Sequence, residues 1–341
     1  MIAVDPQVVV WEYTLACNSH CIHCGSDART PRKNELSTEE AIDFVHQIKE
    51  VGFKRLILSG GEPTLRQDWV RIAEEAKTEN LEVGILSNAL AWTPKTIDAL
   101  ASLRPFAVGF SVDGEPELHD YLRGAEGSHQ KVFDVIHELK KRDIPVCAVT
   151  AVNKRNLGSL FSIRNRLIVY DVDAWQIQVA FPMGRMASHR DLILDAHEYY
   201  QLGEFIAETR ERLHRMNVQG ADCMGYYGQL GQRVRENEWQ GCLAGIESIG
   251  VESDGTVKGC LAMRILSCEG NIREKSLREI WEDSNNFKYS RQFNVSSLKG
   301  DCRGCNYGTQ CRGGCQTQST AFFQEFHHAP YCFLRYEQGG K

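Results

Sequence analysis

Long hydrophobic runs are missing from this sequence: no apolar stretch approaches the roughly 20 residues that cross a bilayer as a helix. Met1 to Pro6 lack the basic region and apolar core of a secretion signal. A strong charge of either sign is missing too. The chain has 39 lysines and arginines against 45 aspartates and glutamates, a net charge of −6, which argues against a broad basic face for nucleic acid. The basic clusters Arg29 to Lys33 and Lys140 to Arg142 are short and interrupted, and read as solvated faces. Internal repeats and low-complexity segments are also absent. These absences set the expectation of a cytoplasmic globular protein of 341 residues, one large domain plus a smaller one, with neither membrane nor nucleic acid as partner.

What is plentiful is cysteine, thirteen in all. With nothing directing export, metal ligation in a reducing compartment accounts for them better than disulfides. Three follow the apolar run Val8 to Trp11: Cys17, Cys21 and Cys24, spaced C-x3-C-x2-C. Thiolates suit zinc or iron–sulfur clusters. A structural zinc wants a fourth protein ligand close by, whereas three cysteines on one loop leave one iron of a [4Fe–4S] cluster open to a small molecule. Further on, the β-rich Leu56 to Ser59 runs into Gly60-Gly61-Glu62-Pro63. Its glycines allow close backbone approach, and Glu62 offers an acceptor to an ammonium group.

The loop Cys17-Asn18-Ser19-His20-Cys21-Ile22-His23-Cys24-Gly25, with Gly60 to Pro63 behind it, resembles the radical S-adenosylmethionine superfamily. The resemblance implies that the three thiolates hold a cluster whose open iron chelates the amino and carboxylate groups of S-adenosylmethionine. His23 takes the aromatic-type position before the third cysteine, and Gly60, Gly61, Glu62 and Pro63 take the place of the motif that contacts the methionine amino group. Electron transfer from the cluster, supplied by an external donor such as flavodoxin or ferredoxin, then gives a 5′-deoxyadenosyl radical that removes a substrate hydrogen.

The spacing of apolar residues predicts strands at Val8–Tyr13, Arg55–Leu58, Glu82–Leu86, Phe106–Ser111, Pro145–Val149 and Ala174–Val179. Helical segments alternate with them at Thr38–Val51, Trp69–Thr78, Pro94–Leu103, Lys131–Lys141 and Leu157–Tyr170, followed by helices over Ala196–Met216 and Gly225–Glu236. Such alternation gives parallel pairing. The resemblance implies a partial (β/α)6 barrel with the site at the strands' C-terminal ends. The expected division is a barrel over residues 1–215, a helical linker over 216–240 and a cysteine-rich α+β domain over 241–335.

In that last region Cys242 is followed by twelve residues, Gly255, four residues and Cys260; Cys302, Cys305, Cys311 and Cys315 are spaced x2, x5 and x3, and Cys332 comes last. Zinc ribbons share C-x2-C pairs, but the whole pattern resembles the seven-cysteine SPASM domain. The resemblance implies two auxiliary [4Fe–4S] clusters, one on Cys302, Cys305, Cys311 and Cys332, the other on Cys242, Cys260 and Cys315, for three clusters in all. Cys223 is the leading candidate for a fourth ligand of the latter; Cys268 and an open iron are the alternatives. Cys147 lies in a predicted strand and reads as core.

Asn88, Ser111 and Asn153 end the third, fourth and fifth strands, where relatives place polar groups near the cofactor. Ser111 resembles a position that bonds the methionine or ribose part, and Arg123 an arginine that pairs with the methionine carboxylate. Ser87 and Arg185 are weaker candidates, and Asp113, in Asp113-Gly114, reads as a turn residue. The general base is not legible. The first functional reading is oxidative maturation of a ribosomally made peptide; the alternative is dehydrogenation of a small molecule or of a partner-protein side chain. Only sixteen residues precede Cys17, so no N-terminal peptide-binding domain is expected, and a separate recognition protein or the peptide's own leader would take that role.

Overall fold

Strands β1 (Val8–Thr14), β2 (Arg55–Gly60), β3 (Glu82–Ser87), β4 (Ala107–Ser111), β5 (Val146–Val152) and β6 (Ala174–Val179) alternate with helices α1 (Thr38–Val51), α2 (Trp69–Thr78), α3 (Pro94–Leu103), α4 (Pro116–Arg123), α5 (Ser128–Lys140) and α6 (Leu160–Val169). The computed structural model describes residues 3–263, 266 and 268–340. Local chemistry sets these elements. Ser37 and Glu40 form a reciprocal cap at the start of α1, and Gly52 ends it with φ 102°. Thr93 and Pro94 open α3 in the same manner.

Each strand pairs in parallel with the next. Residues on the outer face, such as Val9, Trp11, Leu58, Phe110 and Trp175, are buried beneath the helices. Trp11 meets Tyr13 and Phe44 edge-on, with ring centroids 4.9 Å apart in both pairs. Inward-facing positions are small or polar: Ser59, Gly109, Val149, Ala151 and Gln176 leave an open lumen where a complete barrel would be packed.

Two features depart from expectation. The helix from Ala196 stops at Arg212 (α7, Ala196–Arg212), and β7 (Asn217–Gly220) then joins the sheet parallel to β6. Met216 and Val218 are buried, a period-2 signal too short to stand against the helical one before it. The span 216–240, expected as a helical linker, therefore opens with a strand, followed by the short α8 (Gln229–Val234). The cysteine-rich region is also continuous with the barrel. Its strand β8 (Ser248–Val251) pairs in parallel with β1, and β9 (Thr256–Lys258) and β10 (Gly270–Asn271) follow antiparallel. The sheet order is β10-β9-β8-β1-β2-β3-β4-β5-β6-β7. Among the described residues no helix is long and apolar enough to cross a membrane.

Candidate active site and cysteine clusters

The loop leaving β1 carries Cys17, Cys21 and Cys24, and main-chain bonds to neighbouring loops fix its path. The Cys17 N–H donates to Arg29 O (3.1 Å), and the His20 and Ile22 N–H groups donate to Arg123 O and Leu122 O (3.0 and 2.9 Å). Arg185 braces the far side, its Nε on Cys21 O (2.8 Å) and its Nη1 on Asp27 (2.8 Å). Weak donors face two of the sulfurs: Ala28 N to Cys24 Sγ at 3.4 Å and Asn88 Nδ2 to Cys17 Sγ at 3.7 Å. Burial pushes the Cys17 thiol up to about 11.

Gly60 and Gly61 bring the end of β2 against this loop. A Cβ at Gly60 would stand 2.3 Å from Thr14 O and one at Gly61 2.1 Å from Ala16 O, and Gly60 has φ +121°. Pro63 is buried in the turn that follows. Glu62 is wholly buried. Its carboxylate accepts from Ser87 Oγ (2.9 and 3.0 Å), Asn88 N (2.7 Å) and Thr64 Oγ1 (2.5 Å). Burial raises its pKa while the Thr64, Asn88 and Ser87 bonds oppose that rise. These bonds tie the Gly60–Pro63 turn to the end of β3. Asn88 also donates to Asn18 Oδ1 (2.9 Å), linking that strand end to the cysteine loop.

Arg123 does not make a surface salt bridge. It is held at the end of α4, its Nη1 3.1 Å from Asp113 Oδ2 and 3.5 Å from His23 Nε2, and His23 Nε2 is 3.2 Å from the same Asp113 oxygen. Burial opposes ionisation of Asp113, but the His23 and Arg123 charges hold its carboxyl well below the usual range. Read from sequence as a turn residue, Asp113 is the buried centre of this triad. Its position at the C-terminal end of a barrel strand was the available signal. Ser111 lines the lumen. Asn153 is wholly buried, off the cavity wall, its side-chain oxygen on Arg155 N (2.9 Å) and its own N–H on Asn156 (2.7 Å), so it shapes the β5 turn.

A cavity of about 810 Å³ runs from this loop across the lumen, and its walls include Cys17, Cys21 and Cys24 at one end and Cys223, Cys260 and Cys315 at the other. Cys315 lies within electrostatic reach of Cys242, Cys223 and Cys260. Cys223 follows β7, with Val179 N 3.5 Å from its sulfur, whereas Cys268 is exposed and off the cavity wall. Cys302, Cys305, Cys311 and Cys332 converge on a separate cavity of about 330 Å³, walled also by Tyr226 and Tyr307. Cys147 is half-buried in β5 and belongs to none of these sets.

All thirteen cysteines are unbridged. Around a single zinc, thiolates 2.3 Å from the metal stand only about 3.8 Å apart. Among the described residues no three cysteine sulfurs lie within 4.8 Å of one another. Sulfurs set this wide, in three groups of three or four, fit the corners of multi-iron clusters.

The family model of the radical SAM superfamily matches residues 11–156, and that of the SPASM iron–sulfur cluster-binding domain matches residues 242–306. An AdoMet-dependent heme synthase of Methanosarcina barkeri is 31% identical over 97% of each chain. The mycofactocin maturase MftC of Mycobacterium tuberculosis is 26% identical over 91% of this chain and 78% of its own. In structure, SuiB of Streptococcus suis bound to its precursor peptide SuiA superposes with a TM-score of 0.75 at 17% identity, covering 97% of this chain and 76% of SuiB.

Proposed function

The chain belongs to the radical S-adenosylmethionine superfamily and carries its SPASM iron–sulfur domain, and from that premise we propose that it oxidatively modifies a peptide segment held in the barrel lumen. When bound, a cluster on Cys17, Cys21 and Cys24 with S-adenosylmethionine supplies a 5′-deoxyadenosyl radical, and two auxiliary clusters supply electron-transfer capacity. The chain's own residues do the positioning. Gly60 and Gly61 let the end of β2 close against the cysteine loop, Asn88 steadies that loop, and Arg123 keeps its second nitrogen for a carboxylate beside Asp113 and His23.

The observation that carries the peptide reading is the wall between the cysteine sets. Gln176 and Gln219 are register partners on β6 and β7, Gln178 lies on the same face, and all three line the cavity without a side-chain hydrogen bond. Each amide offers both a donor and an acceptor, the complement of a peptide group. Leaving them unmet under a substrate costs about 1–3 kcal/mol apiece. Of the two arginines on that wall among the described residues, Arg185 is paired with Asp27 and Arg123, beside Asp113, is assigned to the cofactor carboxylate, so neither is left for a polycarboxylate substrate. The maturase relatives and the peptide-bound SuiB fold support the same class.

A tetrapyrrole is the second reading, favoured by the length-matched similarity to heme synthase. The test is anaerobic turnover of the reconstituted, reduced enzyme with either a panel of short precursor peptides or Fe-coproporphyrin III. The peptide reading expects 5′-deoxyadenosine together with loss of hydrogen from the peptide by mass spectrometry. Conversion of the porphyrin with the peptide untouched overturns it.

A further inference from the structure

Among the described residues Arg312 is a cation without a partner, placed between the two auxiliary cysteine sets. It follows Cys311 of one set and precedes Cys315 of the other by three residues. Its backbone is left-handed, φ 56°, unusual for a residue with a Cβ. That conformation ends the short helix Gly308–Cys311 and turns the side chain across Gly241, the residue before Cys242. The fit is close, since a Cβ at Gly241 would lie 2.7 Å from Arg312 Cδ and 3.0 Å from its Nε. The main-chain oxygen is fully used, accepting from Gln316 Nε2 (3.0 Å) and facing His327 Nδ1 (2.8 Å). The guanidinium makes no ion pair or hydrogen bond among the described residues, and its Nη1 is buried.

The residue is half-buried, but an enclosed guanidinium nitrogen without an acceptor is costly unless an anion is expected beside it. Gly241, against which the side chain lies, leads directly into Cys242. We propose that Arg312 is the counter-charge of the auxiliary cluster on Cys223, Cys242, Cys260 and Cys315, and that it raises that cluster's reduction potential above the value its thiolates alone would set. The inference rests on the cluster assignment above. Its physical basis is that cluster potentials follow net charge and nearby hydrogen bonds. A positive charge favours the reduced, more negative cluster. The site facing the lumen thereby becomes a readier electron acceptor. Tyr226 sits at the same junction, its hydroxyl 2.9 Å from Cys315 N and its ring on the wall of the Cys302/Cys305/Cys311/Cys332 cavity, but it carries no charge.

The test is a redox titration of the reconstituted full-length protein, followed by electron paramagnetic resonance, for wild type, Arg312→Gln and Arg312→Lys. Arg312→Gln is expected to shift the oxidised-to-reduced ratio of one auxiliary signal roughly tenfold toward the oxidised form at fixed potential, the scale of one unit charge at an effective protein dielectric. This is about 59 mV for a one-electron couple. Arg312→Lys should retain most of the wild-type value, the other auxiliary signal should move less, and the signal of the N-terminal loop cluster should not move. Full iron content with an unmoved potential in Arg312→Gln overturns the proposal. So does loss of that cluster in both variants, which would assign Arg312 to packing alone. If Gln loses the cluster and Lys keeps it, the charge role stands. Zinc in place of iron in the wild type would instead sink the cluster assignment, a separate outcome.

Discussion

In the barrel, one loop carries three cysteines above a sheet whose outer face buries Val9, Trp11, Leu58, Phe110 and Trp175 under helices of up to seventeen residues. Beyond residue 241 the proportions reverse. Eight of the thirteen cysteines lie there, and the longest helix among the described residues, Gln316–Phe323, has eight residues. The barrel's geometry thus follows from apolar packing, each large side chain contributing about 1.5–3 kcal/mol on burial. The cysteine-rich region joins the barrel through β8 and through a smaller apolar set, Leu277, Ile280, Phe287 and Phe333, with its thiols grouped among short helices and turns. Chemistry at the radical site needs a rigid frame before the cofactor arrives. An electron-handling module can form around its metal.

Iron removal is the largest way to break this comparison. After anaerobic chelation, hydrogen exchange should accelerate throughout residues 270–340, while α1, α2 and β1–β5 keep their protection. Equal loss in both halves would show that the barrel also depends on its cluster.

Within the barrel, Arg123→Ala should cost about 3–5 kcal/mol, because the buried Asp113 carboxylate loses its guanidinium partner. Urea unfolding of the metal-free protein checks this. A loss of S-adenosylmethionine affinity with unchanged stability would instead mark Arg123 as purely a ligand contact. Glu62→Ala should cost about 1–3 kcal/mol in the same assay, since Ser87 Oγ and Asn88 N lose their buried acceptor. Weakened cofactor binding at full stability would return Glu62 to direct contact with the methionine ammonium.

The smallest effect is acid-dependent. Burial works against ionisation of Asp68, but bonds from Arg66, Tyr13 and Thr38 bring its pKa to about 2, from an ordinary 3.8. Its stabilisation is therefore complete above pH 4 and fades as pH falls toward 2, up to about 2 kcal/mol. Asp68→Asn should flatten that part of the stability–pH curve. An unchanged curve would place the acid sensitivity in the cysteine-rich region.

Much of the frame was legible because its signals are local. Ser37, Thr93 and Pro94 mark helix starts by capping chemistry, so α1 and α3 run between the expected residues, and α2 and β6 also match the spacing. The cysteine intervals likewise bring out three groups, with Cys311 in electrostatic reach of Cys332, Cys302 and Cys305. β7 was missed because Met216 and Val218 give only two alternations after a long helix.

Cysteine spacing and strand–helix alternation, properties of the chain read in order, determined the family and the barrel and marked the cysteine sets that would hold metal. What the order of residues could not specify is which side chains meet across loops. Asp113 joins His23 and Arg123 from separate elements, Glu62 turns inward to Ser87 and Asn88, the lumen presents Gln176 and Gln219, and Arg312 leans on Gly241. Those pairings arise only when parallel strands align their C-terminal ends, and burial then makes each polar partner energetically obligatory.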